Sequence, residues 1–559
     1  MRQSCLFVAF LFVSAVVVAQ RPGGGRVTPG AGEGQVEDAE ITVLKDRKIE
    51  LPQQNRNFEK IPALPSSKED KKLTYQFPDR KLTVGNPKFT PTVSALPPET
   101  TNEAVGSNNV RAGIGNYGRI YAEGMLNSRS DLPYGLTIRA KHNSTGSGPV
   151  DAKNSATSQQ QFHVNGKYLG TSFKLSGNLG YDRDQFYFYG YRRRENDPVP
   201  DRKTIEQVLQ KFSIGAGIEN TRNEAAIDYS LRTKLTSLNT RTTATELDWG
   251  NNFKATWTLG NKFSAHLLAD AYITQRVDSL VDKRNLFRVK PSFQYRSGIL
   301  NVTAGFNAVY ETDARPNITA THGYPVVNVD IAPFENIHFF AGFDGDVTRN
   351  TLTNFLTENQ FLGRKVILRN TNKLREFYAG SKGGIGAGFT YEARAGLATY
   401  RNFYVFNNAK PDTSRFEILY DEGETNVLHI STQLGYQSGD LWRSLLKLDA
   451  YGYDLKVLEN PWHRPSFTAT WTNTVTFSQK LIFNADAYFI AGLKGKNFVS
   501  NRTVDLPNIV DLNLKTTYLL TNQLSAFVSL NNLLSKNYQR YLYYPRQGLN
   551  FMVGLSYSF

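Results

Sequence analysis

The stretch Gln547-Gly548-Leu549-Asn550-Phe551-Met552-Val553-Gly554-Leu555-Ser556-Tyr557-Ser558-Phe559 decides the fold. Leu549, Phe551, Val553, Leu555, Tyr557 and Phe559 fall on one face of an extended strand. Asn550, Gly554, Ser556 and Ser558 fall on the other, with Met552 the one apolar residue among them. A period of two ending in an aromatic residue suits the closing strand of an outer-membrane β-barrel. One face meets lipid and the other a wet lumen, and both edges must pair because lipid cannot hydrogen-bond an open backbone. A sandwich strand shows the same alternation, so the rest of the chain must decide.

At the other end, Arg2 precedes a short apolar run from Leu6 to Val18, and Val17-Val18-Ala19 offers small residues for cleavage. Residues 1–19 therefore read as a signal peptide, too short to span a bilayer as a helix. The single cysteine, Cys5, lies inside it. The mature chain is expected to hold no disulfide, thiolate metal site or cysteine nucleophile.

Composition agrees with a barrel. Gly 44, Tyr 29 and Phe 35 are abundant among 559 residues, while mean hydropathy is −0.42. Half of each barrel strand faces water, which permits a negative mean that a helical membrane protein would not show. The net charge of +15 is dispersed along strands rather than clustered on a helix or tail, which argues against a nucleic-acid partner.

Residues 20–108 form a Pro/Gly-rich extension with no sustained apolar period, expected to be periplasmic and largely irregular. Ile41, Thr42, Val43 and Leu44 are a short β-prone string within it, a candidate for pairing with the sheet edge of a partner or for a local strand at the rim. Residues 109–559 repeat the alternation many times. Phe212, Ile214, Ala216 and Ile218 oppose Lys211, Ser213 and Gly215; Phe467, Ala469, Trp471 and Val475 oppose Thr468, Thr470, Thr472 and Thr474. Tight links such as Gly260-Asn261, Ser438-Gly439 and Ser478-Gln479 alternate with long ones at 192–206, 350–372, 401–424 and 493–506. Short turns on the periplasmic rim and long outer loops mark an outer-membrane barrel. Reading residues 110–115 and 120–127 as two short strands around Asn116-Tyr117-Gly118 gives about 22 antiparallel strands, the even number that bacterial barrels show, with both termini periplasmic. The fold class is all-β.

The ending also resembles a known family. Asn531-Asn-Leu-Leu-Ser-Lys-Asn-Tyr538, then Tyr541-Leu-Tyr-Tyr-Pro545, Gln547-Gly548 and the final strand look like the end of a TonB-dependent receptor. The resemblance covers residues 109–559 and implies transport or permeation of a solute across the outer membrane of a Gram-negative bacterium. Such receptors place a folded plug before the barrel, and residues 20–108 lack the glycine-spaced alternating strands of one. Glu40 to Leu44 is loosely similar to the peptide those receptors offer to TonB. The implied partners are outer-membrane lipid, lipopolysaccharide, the barrel-assembly machinery and a periplasmic, TonB-like protein. The alternative is a scaffold or surface-binding protein with a filled lumen.

Candidate lumen-facing charges are Lys211, Arg232, Arg288, Lys290, Arg296 and Lys515 against Asp228, Asp270, Asp486 and Asp511. They either favour anions in transit or pair across strands. Arg192, Arg193, Arg194, Arg202 and Lys203 lie in a long outer loop that suits lipopolysaccharide phosphates or an acidic ligand, or is simply solvated. Tyr538, Tyr541, Tyr543 and Tyr544 read as an interfacial aromatic girdle, with ligand stacking the sharper alternative. No cofactor is implied and no metal-ligand spacing occurs. An enzyme is not expected: His142 and Ser144 share one strand face, but no third group of a hydrolase can be assigned.

Overall fold

The computed structural model describes residues 108–128, 133–192, 196–221, 227–241, 244–278, 281–313, 317–363, 365–386, 388–410, 412–497 and 500–559. The expected signal peptide, most of the expected extension including Ile41 to Leu44, and Arg193 and Arg194 lie outside them. The expected absence of a plug therefore concerns residues outside the described ones.

The alternating segments form one 22-stranded antiparallel sheet. Asn109–Gly115 pairs on one edge with Arg119–Asn127 and on the other with the last strand, Asn550–Ser558, so the sheet closes on itself. No edge is left to face lipid. At the seam, Asn109 Nδ2 donates to Ser556 Oγ at 2.8 Å and to Ser558 Oγ at 3.0 Å. Asn116 Nδ2 reaches the Leu549 carbonyl at 2.7 Å, and the Phe559 N–H bonds the Asn108 carbonyl at 3.0 Å. Gly113 faces Gly554 directly across this seam.

The outward face is apolar. In the closing strand Phe551, Val553, Leu555 and Tyr557 are 43 to 53% exposed, while Met552 and Ser556 on the inner face are 8 and 7% exposed. The same exposed row continues through Ile114, Leu126, Leu136, Phe212, Ile214, Phe339, Phe377, Leu397 and Trp471. An exposed apolar belt around a closed barrel is stable only in a bilayer. The barrel spans an outer membrane.

Connections on the rim that holds Asn109 and Phe559 are short, at 170–172, 260–262, 297–299, 335–336, 439–441 and 479–480, for example. The opposite rim carries 146–156, 188–205, 349–370, 402–424, 455–466, 492–508 and 532–549. The first rim is periplasmic and the second is external. Several strands outrun the roughly 9–11 residues that a membrane needs; Ile318–Phe334 has 17 residues.

Candidate functional site

The outer loops are folded. Loop 349–370 holds a helix, α1 (Leu352–Glu358); loop 402–424 holds a hairpin of Phe403–Asn408 with Phe416–Asp421. Further hairpins join Lys494–Asn497 to Arg502–Asp505 and Gln539–Tyr541 to Tyr544–Pro545. Period two recurs in the first hairpin, but both faces are covered: every residue from Phe403 to Asn408 is buried. Tyr404, Phe406, Phe416 and Ile418 enter one apolar cluster with Phe186, Phe188, Leu352, Phe355, Leu356, Phe361, Tyr541 and Tyr544. Phe403 and Val405 enter a second with Val427 and Trp462. Phe361 stacks on Tyr544 with centroids 3.6 Å apart, and Phe355 meets Tyr404 edge-on at 4.8 Å. These contributors come from strand ends far apart around the ring, so their loops meet across the mouth and form a cap. Each large apolar side chain so buried contributes about 1.5–3 kcal/mol.

Polar pins hold the cap to the barrel. Glu246, 2% exposed on a barrel strand, accepts the N–H groups of Leu352 and Thr353 at 2.6 and 3.0 Å. An anion there satisfies orphan donors of α1, and the Thr351 hydroxyl accepts the Asn354 N–H as cap. Arg284 binds Asp313 at 2.8 Å and the Asn350 carbonyl and Asn370 side chain beyond it. Asp421 accepts the Thr425 hydroxyl and the N–H groups of Lys456, Val457 and Leu458, at 2.5 to 3.0 Å. Those donors outweigh burial and hold its carboxyl below the usual range. Buried His463 lies 2.9 Å from the Phe406 carbonyl through Nδ1 and 3.1 Å from the Leu542 backbone nitrogen through Nε2. A carbonyl only accepts and an N–H only donates, so Nδ1 carries the proton. Burial pushes the imidazole down to about 4.

Beneath the cap, Tyr451 and Tyr453 stack at 6.0 Å on the inner face of Trp442–Asp454, and His429 stacks on Tyr451 at 4.5 Å. Two loop arginines join this layer. Arg464 donates from Nε to the Tyr404 carbonyl at 2.9 Å and lies 4.9 Å from the Phe403 ring centroid. Arg540 lies 6.0 Å from the centroid of its neighbour Tyr541. Burial opposes the charge of both. Tyr404 and Glu358 nevertheless hold Arg464 above the ordinary arginine range, whereas burial pulls Arg540 below it.

Most expected lumen charges are paired. Lys211 bridges to Asp182 at 3.0 Å, and Arg232 to Glu219 at 3.2 Å. Arg288 bridges to Asp270 at 2.9 Å and to Asp346 at 2.8 Å, and Lys290 to Asp346 at 2.6 Å. Asp228 accepts from Asn220 at 3.1 Å, Asp511 accepts from the Tyr538 hydroxyl, and Lys515 lies 5.8 Å from the Phe527 ring. Asp486 faces Thr472 and Asn513, and Arg296 faces Asn301 near the periplasmic rim. Sequence reading missed the continuation of this network: Lys373 with Asp344 and Glu376, Arg394 with Glu376, and Arg349 with Asp248. Period-two spacing would put Lys373 and Glu376 on opposite faces; a β-bulge between Lys373 and Arg375 brings them together, which the sequence pattern does not signal.

Three of the candidate outer-loop cations, Arg192, Arg202 and Lys203, are among the described residues. Arg192 lies over the Tyr543 ring at 5.4 Å, Arg202 over Tyr187 at 4.6 Å, and the Lys203 N–H bonds Asp201 at 3.1 Å. The girdle expectation needs correction for two tyrosines. Tyr541 and Tyr544 are 9 and 3% exposed within the cap, because their hairpin folds inward over the mouth. Of the closing-strand residues, Leu549 precedes the strand, and Phe551, Val553, Leu555, Tyr557 and Phe559 share the exposed face. His142 Nε2 does lie 3.0 Å from Ser144 Oγ. Ser264 and His266 make the same contact at 3.1 Å, so the pair follows from period-two spacing alone.

No protein-family model matches the sequence, and no curated protein matches it. By fold, the FrpB iron transporter of Neisseria meningitidis superposes with a TM-score of 0.65 at 10% identity, over 82% of each chain. At 10% identity the likeness is one of fold, a closed antiparallel barrel. The ferric-catecholate import receptor Fiu of E. coli K12 gives 0.62 at 9% identity, over 81% of this chain and 82% of its own. P. aeruginosa FpvA bound to heterologous pyoverdines gives 0.62 at 11% identity, over 81% of this chain and 71% of its own.

Proposed function

We propose that this protein carries a solute across the outer membrane through a TonB-receptor-type barrel whose mouth is gated by the folded cap. The supporting observation is the apolar cluster that joins loops 349–370, 402–424 and 532–549 above a charged and aromatic lumen. A solute must displace that cap to enter. The three similar structures are an iron transporter, a ferric-catecholate import receptor and a pyoverdine-bound protein; transport in this chain is the reading that their fold favours. No catalytic role is assigned. Partners in this reading are lipid and lipopolysaccharide at the belt, with Arg192, Arg202 and Lys203 as outer-leaflet contacts, and the barrel-assembly machinery during insertion. A periplasmic TonB-like protein would pair with Ile41 to Val43 and Leu44.

Planar-bilayer recordings test this. The full chain and a chain lacking residues 20–105 are compared, each with loop 349–370 intact or replaced by a short turn. Conductance that rises when the loop is shortened supports a gated route. Silence in all four forms favours a scaffold with a filled lumen. Loss of uptake in Val43→Pro would support the periplasmic partner.

A further inference from the structure

One joint in the barrel wall is paired only in its periplasmic part. Strand Ile318–Phe334 meets Leu300–Asp313 on one edge, from Leu300↔Ile331 to Asp313↔Ile318. Its other edge meets Ile337–Thr348 only between Phe334↔Ile337 and Val327↔Phe343. Among the described residues, 318–326 has no strand partner on that side. Thr319, Thr321, Gly323 and Pro325 are exposed there, and only below them do Val327 and Ile331 join the apolar belt. The open edge therefore stands above the lipid, where water can serve its backbone. The Ala332 N–H bonds the Ile299 carbonyl, so even-numbered residues aim their backbone groups at Leu300–Asp313 and odd-numbered ones at the gap. Thr319, Thr321 and Gly323 present N–H groups to it, and Pro325, which has none, sits on the same edge.

The partner that the register calls for lies behind the wall. Residues 344–348 stay paired with Thr371–Gly384, but register shifts fall between Asp344 and Asp346 in that joint and between Lys373 and Arg375 in the next. Bulges at one level bend both strands and make a hinge line. Beyond it, Val347 is 0% exposed and clusters with Leu286, Val309 and Tyr324, which face the lumen from three successive strands. Side chains replace the absent strand. Asn307 Nδ2 donates to the Gly345 carbonyl at 2.7 Å, and Arg288 Nη1 to the Val347 carbonyl at 3.2 Å. The Val347 N–H donates to Asp346 Oδ1 at 2.8 Å, and the Tyr324 hydroxyl to Asn372 at 2.6 Å. Extending the Val327↔Phe343 register would set Gly345 opposite Pro325 and Val347 opposite Gly323. The backbone groups held by these side chains are thus the ones that would bond the open edge.

We propose that this joint is a zipper with two settings that positions the cap. In the tucked setting, 344–348 lies behind the wall, and loop 349–370, which starts at the next residue, lays α1 in the mouth. In the zipped setting, 344–348 swings out on the hinge line and continues the register along 318–326. Gly323 and Val347 then exchange backbone bonds, and α1 is drawn away from Glu246 and the apolar cluster. Bonds from Asn307 and Arg288 are traded for strand bonds, so the backbone is satisfied in both settings, as a bistable element requires. The use of this motion rests on the gated route given above, but its test does not use transport.

Residue-resolved hydrogen exchange of the full chain in detergent micelles decides it. In the parent, Thr321 and Gly323 should exchange fast, and His322 and Tyr324, bonded to the neighbouring strand, slowly. A Cβ on Gly345 would stand 2.5 Å from Tyr324 Cδ1 and 2.8 Å from the Leu374 carbonyl oxygen, so Gly345→Val disfavours the tucked setting. In that variant Thr321 and Gly323 should exchange about tenfold more slowly, and Leu352 and Thr353, now released from Glu246, about tenfold faster. Asn307→Leu removes the donor to Gly345 without bulk at the hinge and should move the same four amides in the same directions, several-fold. The opposed signs separate zipping from general loosening, which would speed all four. Heat-modifiable migration verifies folding, and Asn307→Leu decides alone if Gly345→Val does not fold. Protection of Thr321 and Gly323 in the parent equal to that of His322 and Tyr324 overturns the proposal, as does the lack of opposed shifts in every folded variant. Opposed shifts in a barrel that conducts in no form keep the zipper and reject the gated route. Conductance that rises when loop 349–370 is shortened, with no opposed shifts, does the reverse.

Discussion

His463 Nε2 accepts the backbone N–H of Leu542 at 3.1 Å, so one buried ring ties loop 455–466 to loop 532–549. The bond needs a neutral imidazole with its proton on Nδ1, where the Phe406 carbonyl receives it at 2.9 Å. Protonating Nε2 would set a donor against a donor.

The pH dependence of the cap follows. The imidazole titrates near 6.5 when exposed and at about 4 in the closed cap. The opened form binds more protons between those values, so closure is fully stabilised above pH 6.5 and weakens as pH falls. The loss approaches about 3 kcal/mol at pH 4 and then levels off. Hydrogen exchange of the Leu542 amide should report opening that grows across this window. His463→Gln should flatten the dependence, and unchanged exchange between pH 7 and 4.5 would count against the neutral ring.

Asp421 gathers four donors, three of them consecutive backbone N–H groups from Lys456 to Leu458. Asp421→Asn removes the charge and turns an amide NH2 toward donors. Loop 455–466 should loosen by about 2–3 kcal/mol, seen as roughly 30- to 150-fold faster exchange at Val457 and Leu458 with the barrel amides unaffected. Equal exchange in parent and variant would mean that the loop is held elsewhere.

Closure of the barrel depends on a glycine pair. A Cβ on Gly554 would stand 2.2 Å from the Ala112 carbonyl oxygen and 2.8 Å from Gly113 Cα. Gly554→Val should abolish the heat-modifiable folded band. Gly124→Val is the control, since nothing lies within 4 Å of its added Cβ. A folded Gly554→Val barrel would place the seam elsewhere.

The barrel was legible because period two is local. The short first strands, expected at 110–115 and 120–127, appear as Asn109–Gly115 and Arg119–Asn127, and the turn at Ser478-Gln479 falls where the strand pair breaks. The cap was not legible, because its determinants are distant in sequence. Glu246 anchors Leu352 from 106 residues away, and His463 reaches Leu542 across 79. Tyr541 and Tyr544 carry no local mark that separates a buried loop tyrosine from one at a lipid interface. The partners of the candidate lumen charges, such as Asp346 for Arg288 and Lys290, required the register.

The orientation of the barrel carries the whole account, and labelling in intact cells tests it. Cys5 is the one native cysteine, and its replacement by serine leaves a cysteine-free background for single cysteines. Val457, 65% exposed in a long loop, and Lys480, in a short turn, mark the two rims. A membrane-impermeant maleimide should label Val457→Cys on whole cells and reach Lys480→Cys only after the outer membrane is permeabilised. Labelling of Lys480→Cys on whole cells with Val457→Cys silent would contradict the account.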